Sequence, residues 1–224
     1  FLYQFLTFLF FPFSSIYLYL RKLKKKEDPF RYKEKLSKIN LNREDGFLIW
    51  IHVASVGETL SILPLLENLE NEEKINKILI TSITLSSSEV IKKRLSHNKK
   101  VIHQFLPFDV STYVNKFLNH WKPNMSIFVE SEIWPNLINE IKKRNIPLIL
   151  INGRITKKSF NRWKFFTKFA KKIFEKFDLC IASNKDSEKY LKILGAKNIK
   201  NYGNLKFANA KLNFSYKLDQ NFLS

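Results

Sequence analysis

The chain has 224 residues, a formal net charge of +19 and a hydrophobic content of 45%. That is enough for one large domain, or a domain plus an appendage, with a core that needs no covalent staples. Its single cysteine excludes an internal disulfide, its four scattered His residues show no metal-ligand spacing, and its positive excess admits nucleic acid, an anionic membrane or an anionic substrate without choosing among them.

Residues 1–20 are almost purely apolar and aromatic and are followed at once by Arg21-Lys22-Leu23-Lys24-Lys25-Lys26. About 20 such residues suffice to cross a bilayer as a helix. The charges follow the apolar run and no small-residue cleavage site appears, which disfavours a secretory signal. No polar face is evident, which disfavours a buried core helix. We therefore expect a membrane anchor over 1–26, its basic flank holding the downstream chain in the cytoplasm. Pro12 should kink the helix and leaves open an anchor that dips into one leaflet. The chain opens on Phe1, and residues before it are expected. Residues 27–46 are polar and charged and read as a short helix and linker.

From Phe47 apolar, β-rich runs alternate with helical patterns. The runs lie at 47–53, 77–81, 100–105, 126–130, 147–152, 178–182 and near 198–202. Helical spacing occupies 58–69, 86–95, 110–120, 133–144, 157–176 and 185–194. Such alternation implies βαβ units and a parallel sheet, and unbroken apolar strands imply a sheet covered on both faces. Cys180, inside the run Leu179–Ala182, reads as a buried small hydrophobe. In 157–177, Phe160, Trp163, Phe166, Ala170, Ile173 and Phe177 share one helical face, as in a crossover helix packed on a sheet. Phe165 and Phe169 fall outside that face and are candidates for lipid contact.

The organising stretch is Ile49–Leu60. An apolar strand ends at Ser55 and Gly57, and Leu60 and Leu63 open a helical repeat. Open α/β folds place their chemistry at such strand–turn–helix edges. Glu58, in the first helical turn, should point out of the edge toward a ligand; the same position suits a carboxylate that merely complements the helix dipole. Ser55 and Gly57 offer backbone N–H groups for an anion. Glu130 and Glu132 flank Ser131 after the strand ending at Val129, and in an extended segment both face one way. His52, inside its strand, reads as a satisfied core residue.

Five motifs in order carry a family resemblance. They are Ser55-Val56-Gly57-Glu58, Leu106-Pro107-Phe108-Asp109, Glu130-Ser131-Glu132-Ile133-Trp134-Pro135-Asn136, Asn152-Gly153-Arg154-Ile155 and Gly203-Asn204-Leu205-Lys206-Phe207. Together they resemble the N-terminal half of the 3-deoxy-D-manno-octulosonic acid (Kdo) transferases of lipopolysaccharide synthesis. Ser131, Gly153 and Ala208 depart from that family's usual Thr, Ala and Asp. The resemblance implies a Rossmann-like, acceptor-binding domain over 47–208. That domain would form one half of a two-domain GT-B glycosyltransferase, with 209–224 leading toward a donor-binding half that lies outside these residues.

It also implies the chemistry. Kdo would move from CMP-Kdo to the lipid A precursor, with inversion and without metal or cofactor. Glu58 would take the proton of the acceptor hydroxyl, Glu130 would stabilise the oxocarbenium-like sugar, and Lys206 would neutralise the departing phosphate. A helix N-terminus should keep Glu58 ionised and lower its basicity. Ser55, Gly57, Glu132, Asn152 and Arg154 make the acceptor-binding set, Glu132 also capping the following helix. Partners are then CMP-Kdo, the lipid A precursor and an anionic membrane, with the domain on the cytoplasmic side of the inner membrane. Nucleic acid is not expected, since no recognised binding module accompanies the charge. A half-chain that only binds lipid or acceptor is the alternative.

Overall fold

The computed structural model describes residues 2–203. Seven parallel strands form one sheet in the order β3-β2-β1-β4-β5-β6-β7. They are β1 (Leu48–His52), β2 (Lys77–Ser82), β3 (Val101–Phe105), β4 (Met125–Val129), β5 (Leu148–Gly153), β6 (Leu179–Ala182) and β7 (Ile199–Asn201). Each lies within a residue or two of the stretch expected for it. The order reverses between β1 and β4, the switch point where doubly wound sheets open a crevice.

The two-residue period of the strands sorts the core. Leu48, Trp50, Leu79, Phe128, Leu148 and Leu150 point to one face. Ile49, Ile51, Ile78, Ile80, Ile127 and Val129 point to the other. The first face is covered by α5 (Ser111–Trp121), α6 (Pro135–Lys143), α8 (Thr167–Phe174) and α9 (Lys185–Leu194). The second is covered by α3 (Leu63–Glu70) and α4 (Leu85–Leu95), with α2 (Val56–Ser61) leading in. The buried indoles are satisfied: Trp50 Nε1 donates to Thr81 Oγ1 at 2.9 Å and Trp121 Nε1 to Gln104 Oε1 at 2.7 Å. Cys180 is fully buried as expected, and burial pushes its thiol up to about 12.

The helices at the C-terminal edge of the sheet start on caps written in the local sequence. Ser55, Thr84 and Asn184 each accept a backbone N–H from the first turn of α2, α4 and α9. Thr156 does the same for α7 (Lys157–Phe165). The helical pattern at 157–176 breaks at Phe166, which joins α7 to α8 with ψ 48° instead of continuing the helix. Phe166 is therefore exposed rather than part of a core face, and Phe165 is 89% exposed. Phe169 is partly buried between Trp163 and Tyr3.

α6 is the exception. Its N-cap position, Trp134, makes no side-chain cap. The acceptor comes from Asp109, whose carboxylate receives the N–H of Asn136 at 3.0 Å and of Leu137 at 2.8 Å. Asn136 Nδ2 returns a bond to the Asp109 carbonyl at 2.5 Å. Glu132 does not cap this helix, because its carboxylate is engaged elsewhere.

α1 (Leu2–Leu23) is continuous through Pro12 and lies against the domain. Tyr3 Oη donates to Asp109 Oδ2 at 2.8 Å, Thr7 Oγ1 accepts from Asn136 Nδ2 at 3.0 Å, and Ser14 Oγ meets Tyr113 Oη at 2.7 Å. Leu18 is fully buried in a small cluster with Leu36, Val110 and Tyr113. Residues 27–46 pack on the domain: Lys35 Nζ bonds to Glu27 and to the Ile83 carbonyl, and Phe105 N donates to Glu34.

Asp109→Asn should lower stability by about 1–3 kcal/mol, because the amide turns N–H groups toward buried donors. Tyr3→Phe removes only one bond from the same carboxylate and should cost about 1 kcal/mol. Urea midpoints for the two variants test this ranking, and an equal or reversed order would remove Asp109 as the cap of α6.

Candidate active site

The strand–turn–helix edge at Val53–Ser61 is built as a capping box. Ser55 Oγ accepts from Glu58 N at 3.3 Å, and the Glu58 carboxylate reaches back to Ala54 N at 2.8 Å and Ser55 Oγ at 3.0 Å. Glu58 is thus only 6% exposed. It folds over its own turn instead of projecting outward, while Ser55 and Gly57 stay exposed at the surface.

This geometry reverses the expected effect on basicity. Burial pushes the Glu58 pKa above its ordinary 4.5, opposed by the Ala54 N–H and the Ser55 hydroxyl and reinforced by the negative charges of Glu132 and Glu130. The helix terminus does not win. A carboxylate whose pKa has been raised toward neutral pH is a better proton acceptor than an ordinary one.

Glu132 is the ionised partner. Its burial opposes charge, but hydrogen bonds from His52 and Trp134, with the interaction with His52, outweigh that and hold its pKa below 4.5. His52 Nε2 lies 3.3 Å and Trp134 Nε1 2.8 Å from Glu132 Oε2. His52 is fully buried, and its Nδ1 sits 2.9 Å from Thr81 Oγ1. The Thr81 carbonyl oxygen lies 3.2 Å from the same Nδ1, so the ring is held on that side by Thr81 while Nε2 faces Glu132. His52 is a satisfied core residue, but its partner is a site carboxylate. Its place two residues before Ala54 was the only sequence signal for that.

Glu130 and Asn152 close the site from β4 and β5. Asn152 Nδ2 donates to Glu130 Oε1 at 3.3 Å. Both are non-glycine residues in the left-handed region, with φ 58° at Glu130 and 52° at Asn152. Such positions cost about 1–3 kcal/mol each and persist where surrounding contacts over-determine them, commonly at functional sites. The β5–β6 register shifts between Leu150 and Gly153, a bulge that re-aims Asn152. Asn152 is buried, and its Oδ1 has no partner among the described residues.

Arg154 is exposed and lines a shallow depression of about 280 Å³ with Thr156, Lys157, Asn184 and Tyr190. The structure brings Glu130 and Glu132 close enough for their charges to act on Glu58 and joins Asn152 to Glu130; Arg154 borders this group. Lys206 lies outside the described residues. Among those residues no three His, Cys, Asp or Glu side chains are grouped to hold a metal ion.

Residues 30–209 match the family described as 3-deoxy-D-manno-octulosonic-acid transferase. The chain belongs to the Kdo transferase family. It is 42% identical over 213 residues to the 3-deoxy-D-manno-octulosonic acid transferase of Rickettsia bellii, covering 94% of this chain and 50% of that one. It is 32% identical over 147 residues to the enzyme of the same name from Haemophilus influenzae, covering 66% of this chain and 34% of that one. The chain thus spans about half the length of the relatives it matches. Among solved structures, UDP-GlcNAc 2-epimerase from Neisseria meningitidis bound to UDP-GlcNAc superposes with a TM-score of 0.52 at 14% identity, over 75% of this chain and 51% of that one. That likeness concerns the fold: a Rossmann-like half of a GT-B-like protein, here in a glycosyltransferase family.

Titration of the Glu58 carboxyl by carbon-13 NMR should give a midpoint above 4.5. In Glu132→Gln the midpoint should fall, because removing a neighbouring negative charge eases ionisation. A midpoint at or below 4.5 in the unmodified chain would refute burial as the dominant influence.

Proposed function

We propose that this chain is the acceptor-binding half of an inverting, metal-independent transferase that moves Kdo from CMP-Kdo to the lipid A precursor, lipid IVA. The observation that carries the reading is the buried Glu58 carboxyl, its pKa raised, beside Glu130 and Glu132 on a chain of the Kdo transferase family. Glu58 takes the proton of the attacking acceptor hydroxyl. That oxygen bonds to the anomeric carbon, the bond from this carbon to the CMP phosphate oxygen breaks, and CMP leaves with the electron pair. Glu130 stabilises positive charge on the sugar, and Lys206 offsets the negative charge on the departing phosphate. Ser55, Gly57, Glu132, Asn152 and Arg154 hold the acceptor, Arg154 supplying the guanidinium that phosphate or carboxylate groups favour.

In this reading residues 1–26 are the anchor, 27–46 the connection, 47–208 the acceptor-binding domain and 209–224 the way toward the donor-binding half. The domain works at the cytoplasmic face of the inner membrane, on lipid and not on nucleic acid. Joined to its donor half, the protein should lose about 10²–10⁴-fold in transfer rate on Glu58→Gln while its folding is unchanged. Near-normal turnover of that variant would remove Glu58 from the mechanism.

The share of its relatives that the chain spans favours a second, narrower reading: on its own it binds lipid and acceptor without turnover. Glu58 without a positioned donor has no electrophile to serve. The 224-residue chain, given CMP-Kdo and lipid IVA, should bind the lipid and release no CMP. Measurable transfer would contradict this.

A further inference from the structure

The face of α1 that meets the domain carries a line of hydrogen-bonded hydroxyls among Phe10, Phe11 and Leu18, and the face opposite is wholly apolar and exposed, the reverse of the usual polar outer face of a helix on a soluble protein. Tyr3, Thr7 and Ser14, at i, i+4 and i+11, fall on one stripe with Leu18 and Arg21. Each of the three hydroxyls is hydrogen-bonded to the domain, and Arg21 pairs with Glu27 at 2.6 Å. The opposite side carries Phe5, Leu9, Phe13, Ile16, Leu20 and Leu23, all half or more exposed. The helix is long and apolar enough to cross a membrane. Crossing would require stripping Tyr3 from Asp109 and Thr7 from Asn136, or drawing those buried polar groups into hydrocarbon, and either is costly.

A second exposed apolar element adjoins it. The Tyr3 ring lies 6.2 Å from that of Phe169 on α8, so the start of α1 is beside the α7–α8 corner where Phe165 and Phe166 stand exposed. Cations bracket the surface. Lys22 sits in the last turn of α1 with Lys24, Lys25 and Lys26 just after it, and exposed Lys164 and Lys168 flank the corner at the other end. An apolar, aromatic strip bounded by cations at both ends is complementary to acyl chains edged by anionic headgroups.

We propose that α1 lies in the plane of an anionic bilayer, clamped to the domain by its hydroxyl stripe, with its outer face and the Phe165–Phe166 corner inserted together into one leaflet. This deepens the membrane part of the reading above. It also gives the lipid a direction of approach. The inner partners of α1 are Asp109, in the β3–α5 loop, and Asn136, at the start of α6, both on the sheet edge that carries Glu58 and Glu132. A headgroup in the leaflet under α1 is therefore presented to that edge.

Depth measurement separates the possibilities. Cys180 is buried, so single cysteines at Phe5, Phe13, Leu20 and Phe165 can be spin-labelled selectively in the full chain. Labelled protein is bound to phosphatidylcholine–phosphatidylglycerol vesicles, and depth is read from collisions with oxygen and with a water-soluble nickel chelate. In-plane insertion places Phe5→Cys, Phe13→Cys and Leu20→Cys at one common depth, about 5–10 Å below the headgroups. Phe165→Cys is shielded from nickel as well, and binding weakens as salt rises. A spanning helix would instead separate Phe5→Cys from Leu20→Cys by about 20 Å along the membrane normal. That outcome overturns the in-plane arrangement and leaves the membrane reading intact. Nickel access at every site of vesicle-exposed protein overturns the docking surface itself, while the transfer assay judges the catalytic reading separately.

Discussion

One buried carboxylate holds three parts of this structure together. Asp109 accepts the first N–H groups of α6 and the hydroxyl of Tyr3 while sitting in the loop between β3 and α5. Burial raises its pKa, opposed by the bonds from Tyr3, Asn136 and Leu137, which favour the charged form. α6 has no cap of its own, so the entry of the chain into that helix is set from Asp109. The segment entering α6 carries Glu130 and Glu132. The orientation of the site carboxylates and the seating of α1 therefore depend on the same group.

The site is a balance among carboxylates that differ in environment. Glu132 receives two hydrogen bonds from ring N–H groups and stays ionised. Glu58 is buried against its own turn and feels that charge. Pushing two pKa values apart in this way divides the labour between a fixed negative charge and a proton acceptor. His52 belongs to the division although it touches no surface, because with Trp134 it keeps Glu132 charged. The left-handed backbone at Glu130 and Asn152 has the same sense. Strain at adjoining strand ends is tolerated because the Asn152–Glu130 bond and the β5–β6 bulge fix both residues.

The sheet was legible because its strands are buried on both faces, so each reads as an unbroken apolar run whatever its neighbours do. Helix starts were legible where the cap is local, as at Ser55, Thr84 and Asn184. The start of α6 fell within two residues of the expected one, but its cap was not legible, since Asp109 lies 27 residues upstream of Asn136 in sequence. The break at Phe166 was hidden for a related reason: Phe160, Trp163, Ala170 and Ile173 keep a helical rhythm across it, and no Gly or Pro marks the turn. Glu58 was found as a position but misjudged in orientation. A Glu three residues after a Ser N-cap folds back onto the turn as readily as it projects, and the capping-box spacing was the available signal. Lys206 lies outside the described residues, so its place in the site rests on the family resemblance.

α1 shows why a segment can carry a signal that composition conceals. By average hydropathy it is a membrane span, and its hydroxyls look like scattered exceptions. Placed on a helix, Tyr3, Thr7 and Ser14 form one line, and every member has a partner on the domain. Three hydrogen-bonded hydroxyls add little to net stability, on the order of 1 kcal/mol each. Their effect is directional. Leaving them unpaired in hydrocarbon would cost several kcal/mol per group, whereas turning the opposite face to lipid costs nothing and buries large apolar side chains. The asymmetry between the two faces, rather than the strength of either, decides how the helix meets a membrane. It also fixes which edge of the sheet a lipid headgroup meets first.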